Sequence, residues 1–116
     1  MTGIDYPTIT VGDKTLTVKF SLYTQYLLSR AGIDLRAPIA PGDPKYLSHR
    51  LEVFAAAVAD NYKPGEAPAA EAWARTIGLD QWGDLERAIG TAMGKAAEEL
   101  RKGLAVVPPA QESQAS

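Results

Sequence analysis

The sequence predicts an α+β fold, an N-terminal β-hairpin packed on a bundle of about four α-helices, followed by a disordered C-terminal tail. Three observations predict it. Period-two alternation with β-branched residues is confined to residues 8–20. Beyond them, apolar residues recur at helical spacing in four segments, each bounded by glycine or proline. From residue 104 onward the chain holds Pro108-Pro109 and then only small or polar side chains, which cannot build a packed core.

The hairpin is read from two runs. Thr8-Ile9-Thr10-Val11 and Thr15-Leu16-Thr17-Val18-Lys19-Phe20 both alternate, and Gly12-Asp13-Lys14 between them is a short turn containing glycine. Leu16, Val18 and Phe20 share one face of the second strand. That face needs cover, because a lone hairpin is marginal in water. The first helix, about 21–31, supplies it: Ser21 is an N-cap and Gly32 a natural residue just past the end. Tyr23, Tyr26, Leu27 and Arg30 fall at helical spacing and are expected to pack on the hairpin.

Asp43-Pro44 gives an N-cap followed by proline at the first helical position, so the second helix is expected over 44–59. Leu47, Leu51, Phe54 and Val58 form its apolar stripe. A third, short helix is expected over 69–77, with Ala70, Trp73 and Ile77 on one side and Gly78 ending it. Asp80 is read as the cap of the last helix, 81–102, which Gly103 closes. Residues 1–103 thus read as a single domain and 104–116 as a flexible tail.

Composition bounds the function. A chain of 116 residues fits one domain and buries roughly 65% of its unfolded surface. With a net charge of −2 and no basic block, nucleic-acid binding is not favoured, since it needs a clustered cationic surface, although folding could still gather Lys14, Lys19, Arg30 and Arg36. Without cysteine there is no disulfide framework, thiolate zinc site or thiol catalysis. The opening MTGIDYPTIT has neither a basic start nor an apolar core, so no signal peptide is expected. The longest apolar run, Val53 to Ala59, is far too short to span a bilayer.

The stretch AIGTAMGKAAEELRKG, residues 88–103, superficially resembles a phosphate-binding loop. It fails each requirement of that motif. Gly90 and Gly94 are separated by three residues instead of four, Ala96 replaces the metal-binding hydroxyl, and the preceding segment is helical. As a helix the same residues make sense. Trp82, Leu85, Ile89, Ala92, Met93, Ala96 and Leu100 form an apolar stripe, and Gly83, Gly90, Gly94 and Ala97 a second stripe beside it. Glycine costs about 1 kcal/mol per helix position relative to alanine. The glycines therefore suggest close approach by another helix, from this chain, a second copy or a client; the alternative is glycine tolerated on a solvent face.

Other chemistry is sparse. His49 has no Ser or Cys partner at motif spacing and falls on the polar side of its helix. Glu98 and Glu99 point about 100° apart and do not form an acid/base pair; with Arg101 and Lys102 they suit surface ion pairs. Carboxylates are scattered and histidines unpaired, so no metal or cofactor is expected and the chain is read as a non-enzyme without a small-molecule substrate.

Two segments resemble a known family. YPTITVGDKTLTVKFSLYTQYLLSRAGIDL is a hairpin that runs through Phe20 into a helix, and AEAWARTIGLDQWGDLERAIGTAMGKA is a Trp-bearing short helix, a break, and a helix rich in small residues. Together, over about residues 6–103, they resemble the tail assembly chaperones of long-tailed bacteriophages and related tail-like particles. The resemblance implies a non-enzymatic assembly factor in the cytoplasm of the infected host. It would keep the tape measure protein soluble, assist the tail tube protein in assembling around it, and be absent from the mature virion. The family often makes a longer product by translational frameshift, which a flexible tail after Gly103 would suit. The partner-binding candidates are Trp82, Leu85, Ile89, Gly90, Met93 and Gly94, a helix-in-groove surface for an amphipathic client. Self-association is a second use of that surface. The alternative function is a structural head–tail joining or tail-completion protein that stays in the particle.

Overall fold

A computed structural model of the chain describes residues 6–35, 37 and 39–105. Most of the tail expected over 104–116 lies outside the described residues; Leu104 and Ala105 continue the last helix. The order is a hairpin followed by four helices, an α+β arrangement.

Strand β1 (Thr8–Val11) pairs antiparallel with β2 (Lys14–Thr17), Ile9 opposite Leu16 and Val11 opposite Lys14. Lys14 belongs to the strand, so the turn is only Gly12-Asp13, with Gly12 at φ +65°. A glycine at the first position of a two-residue turn matches the twist of the flanking strands. β2 ends at Thr17, short of the expected Phe20, because Lys19 N donates to Ala57 O of a helix and the chain leaves the ladder. Ile9, Val11, Leu16, Val18 and Phe20 are buried on one face.

Both edges of this small sheet are closed by side-chain amides. Asn61 Oδ1 accepts from Thr17 N at 3.1 Å and Asn61 Nδ2 donates to Thr17 O at 2.8 Å. On the other edge Gln81 Nε2 donates to Thr10 O at 2.8 Å. These bonds satisfy outward-facing strand groups and blunt the edges against further pairing.

Helix α1 (Leu22–Arg30) begins as expected, with Ser21 Oγ accepting from Thr24 N at 3.1 Å. It ends in a Schellman pattern: Gly32, at φ +77°, donates to Ser29 O and Ile33 N to Leu28 O. Its buried face is not the expected one. Tyr23 and Tyr26 are exposed, stacked on each other at 6.4 Å, and Arg30 lies over the Tyr26 ring. Thr24 and Leu28 are buried instead, with Leu27 half-buried. The Thr24 hydroxyl lies 3.0 Å from both Lys19 O and Ala56 O, so one side chain ties α1 to the hairpin exit and to the end of the next helix.

Helix α2 (Tyr46–Ala57) starts two residues later than expected. Asp43 Oδ1 accepts from Lys45 N and Tyr46 N donates to Asp43 O, a turn that precedes the helix instead of capping it. Leu51, Phe54 and Val58 are buried as the stripe requires, together with Val53, Ala56 and Ala57, while Leu47 is 57% exposed. A 3-10 turn (Ala59–Asn61) follows. Helix α3 (Ala70–Thr76) buries Trp73, whose ring meets Phe54 edge-on at 5.3 Å and Tyr62 at 6.4 Å. Ala70 and Ile77 pack beside it.

Asp80 is not the cap of the last helix. It lies within a 3-10 turn (Leu79–Gln81), and Gly78 N donates to Gln81 Oε1. Helix α4 (Trp82–Ala105) then runs on past Gly103, which does not close it. Surface ion pairs support it at Asp84–Arg87 and Glu98–Lys102. One contiguous core joins the hairpin to all four helices, with Phe54, Val53, Leu85 and Ile89 at its centre.

Candidate docking groove

The residues singled out on α4 separate into two groups. Leu85, Ala88, Ile89 and Ala92 are buried in the chain's own core, so Leu85 and Ile89 present no surface to a partner. Trp82 is half-buried against that core. Gly90 and Gly94 face outward, and a Cβ at either would meet nothing within 4 Å. The close helix approach suggested by the glycines is therefore not made among the described residues. Met93 lies between the groups, half-buried, with its outer side open.

Towards its C-terminal end α4 outruns the core and helps wall a groove of about 730 Å³. Met93, Ala96, Ala97 and Leu100 form one wall, Ser21, Leu22 and Gln25 of α1 the other, and Phe20 and Leu35 complete it. Among the described residues, Glu99 is the one charged residue on its lining. Leu22 is 86% and Leu100 65% exposed, large apolar side chains held in water on opposite rims. The sequence singled out Leu100 as part of the α4 stripe and Phe20 as part of the hairpin face. Leu22 and Leu35 carry no periodic signal and are brought in only by the path of the chain around α1.

The hairpin reaches this region through Tyr6. Its ring lies under Lys19 Nζ, 5.3 Å from the centroid. Its hydroxyl is buried without a partner in hydrogen-bonding geometry, and burial, then the neighbouring Glu99 carboxylate, push its pKa up to about 12.

A second polar cluster ties α2 to α4. Glu86 Oε1 is 2.8 Å from Arg50 Nη2 and accepts from Arg50 Nε, while Tyr46 Oη donates to Glu86 Oε2 at 2.7 Å. The bond to Glu86, then burial, raises the Tyr46 pKa. His49, expected as a solvated surface residue, is half-buried beside this cluster, and its Nδ1 has no partner. Burial lowers its pKa below 6.5; the Arg50 charge adds to this and Glu86 opposes it. The unfolded chain then binds more protons than the native one as pH falls through about 6.5, so native stability decreases there. Urea midpoints at about pH 7.5 and 5.5 should show the loss, and His49→Gln should flatten it. An equal loss in both proteins would place the acid sensitivity elsewhere.

Among the described residues no group of three or more His, Cys, Asp or Glu side chains is placed to hold a metal ion. The near-match to a phosphate loop lies wholly inside α4, with its backbone amides committed to the helix. No helix among the described residues is long and apolar enough to cross a membrane. No protein-family model matches the chain, and no curated protein or solved structure is similar to it.

Proposed function

We propose that the chain is a non-enzymatic interaction protein, a tail assembly chaperone that covers an amphipathic helix of a tape measure protein in the host cytoplasm. The observation that carries the proposal is the groove between α1 and α4, rimmed by exposed Leu22 and Leu100. Large apolar side chains facing water on both sides of a cleft mark a surface that gains by being covered. A helix laid into such a cleft anchors through side chains three and four residues apart. Met93 on the wall adapts to imprecise partners, as a chaperone for a long and varied helix requires. The open faces of Gly90 and Gly94 continue the surface along α4 and permit a close backbone crossing. The partner surface is thus Met93, Gly90 and Gly94 with Leu22, Ala97 and Leu100, while Leu85 and Ile89 hold the helix on the core. The resemblance in the order and texture of the elements supplies the identity of the client, and with it the tail tube protein as the second partner.

Co-expression with the tape measure protein tests the reading. Leu100→Asp and Gly90→Leu are each expected to lower co-purification at least tenfold while the helical circular dichroism is retained and the thermal midpoint does not fall, Gly90→Leu raising it as a better helix former than glycine. Undiminished capture by both variants would remove the groove from the interaction. Recovery of the chain from purified virions would instead favour a head–tail joining or tail-completion protein.

A further inference from the structure

We infer that the helix taken up by the groove between α1 and α4 carries a lysine or arginine at one edge of its apolar stripe, and that Glu99 is the residue that selects it. The inference rests on the proposed reading for its site and adds the chemistry of the partner. It is carried by the way the carboxylates of α4 are paired. Asp84 lies 2.8 Å from Arg87, Glu86 2.8 Å from Arg50, and Glu98 3.9 Å from Lys102. Among the described residues, Glu99 is the α4 carboxylate without an ion pair. Lys95, one turn earlier on α4, and Lys19, over the Tyr6 ring, form none with it. Its neighbour, the Tyr6 hydroxyl, is buried and keeps its proton, so it leaves the carboxylate charge uncancelled. A carboxylate on the wall of an apolar cleft gains a charge-assisted hydrogen bond when a cation is brought to it, and it repels a like charge.

The shape of the wall suits a helical partner. Met93, Ala96, Ala97 and Leu100 run along α4, and seven helical residues rise roughly 10 Å, about two turns. A partner helix seats side chains three and four residues apart between the rims at Leu22 and Leu100. Glu99 stands next to Leu100, at the end of this apolar stretch. A lysine or arginine just outside the partner's stripe lays its aliphatic stem on the apolar wall and brings its charge to Glu99. An acidic helix with the same apolar spacing meets an unpaired carboxylate instead. The groove then discriminates by charge where its apolar walls cannot.

Two synthetic amphipathic peptides test this on the full chain. They share one leucine stripe and differ only in carrying lysine or glutamate beside it. By fluorescence anisotropy in low salt, the lysine peptide is expected to bind about five to ten times more tightly. Salt at about 0.5 M should narrow the difference. Glu99→Gln should remove most of the preference and Glu99→Lys should reverse it, both at unchanged circular dichroism. Glu52→Lys makes the same charge change at an exposed position of α2 outside the groove and should leave the preference in place. A preference that survives Glu99→Lys, or that Glu52→Lys abolishes equally, overturns the inference. So does a dimer that Leu100→Asp dissociates, which seats a second copy in the groove. Equal binding of the two peptides, lost in Leu100→Asp, keeps the groove and removes the charge selection. Binding of neither peptide removes the groove and the inference together. A preference that follows Glu99, without capture of the tape measure protein, keeps the inference and removes that client.

Discussion

Phe54→Ala is expected to lower the stability of the fold by about 3–5 kcal/mol, the range for deleting a buried phenylalanine. Phe54 is fully buried, meets Trp73 edge-on at 5.3 Å, and lies on α2, the helix that touches each of the other three. A domain of this size is stable by only about 5–15 kcal/mol, so the variant should have a strongly reduced urea midpoint or be partly unfolded in water. The aromatic pair contributes beyond its buried area, about 0.5–1.5 kcal/mol, and Phe54→Leu should recover most of the burial but not that contact. On the same helix Leu47→Ala should change stability by less than about 0.5 kcal/mol, since Leu47 is exposed. A loss at Phe54 no larger than that at Leu47 would mean that the α2–α3 contact does not hold the core together.

The contrast between Phe54 and Leu47 shows what periodicity conveys. The spacing of Leu47, Leu51, Phe54 and Val58 correctly identifies one face of α2. It does not identify how far along the helix that face is covered, and Leu47, in the first turn, extends beyond its neighbours. α1 fails differently. Tyr23 and Tyr26 carry the larger side chains, yet the smaller Thr24 and Leu28 are buried. Thr24 is admitted because its hydroxyl finds the carbonyls of Lys19 and Ala56, five and thirty-two residues away. A partner at that separation leaves no trace in local spacing, and the same holds for Asn61 and Gln81 on the strand edges. His49 is half-buried within electrostatic range of the Arg50–Glu86 pair, which joins two helices, and that pairing is equally invisible in local spacing.

The candidate site was half legible. The α4 stripe is real as a face, but the sequence treats it as uniform, whereas the fold buries Leu85, Ile89 and Ala92 and leaves Leu100 in water. The division falls where α4 runs past the body of the core, a fact about its length relative to α2 and the hairpin. The opposite wall comes from Leu22, at a position where only the Ser21 cap is evident, and from Leu35, in a loop without pattern. A groove is a relation between elements, and helical spacing describes each element alone.

Gly90→Ala with Gly94→Ala is expected to stabilise the fold by about 2 kcal/mol, twice the roughly 1 kcal/mol by which alanine exceeds glycine in a helix interior. Neither glycine has a positive φ, and an added Cβ meets nothing within 4 Å at either site, so no steric term opposes the gain. For a domain of about this size each kcal/mol raises the thermal midpoint by about 4–8 °C, and the double variant should melt roughly 8–16 °C higher. Two methyl groups on the open face should at the same time weaken capture of a helix that crosses there at short range. Stability and binding then move in opposite directions, the signature of glycines retained for contact with another molecule. A higher midpoint with undiminished capture would assign Gly90 and Gly94 to an ordinary solvent face and confine the docking surface to the groove between Leu22 and Leu100.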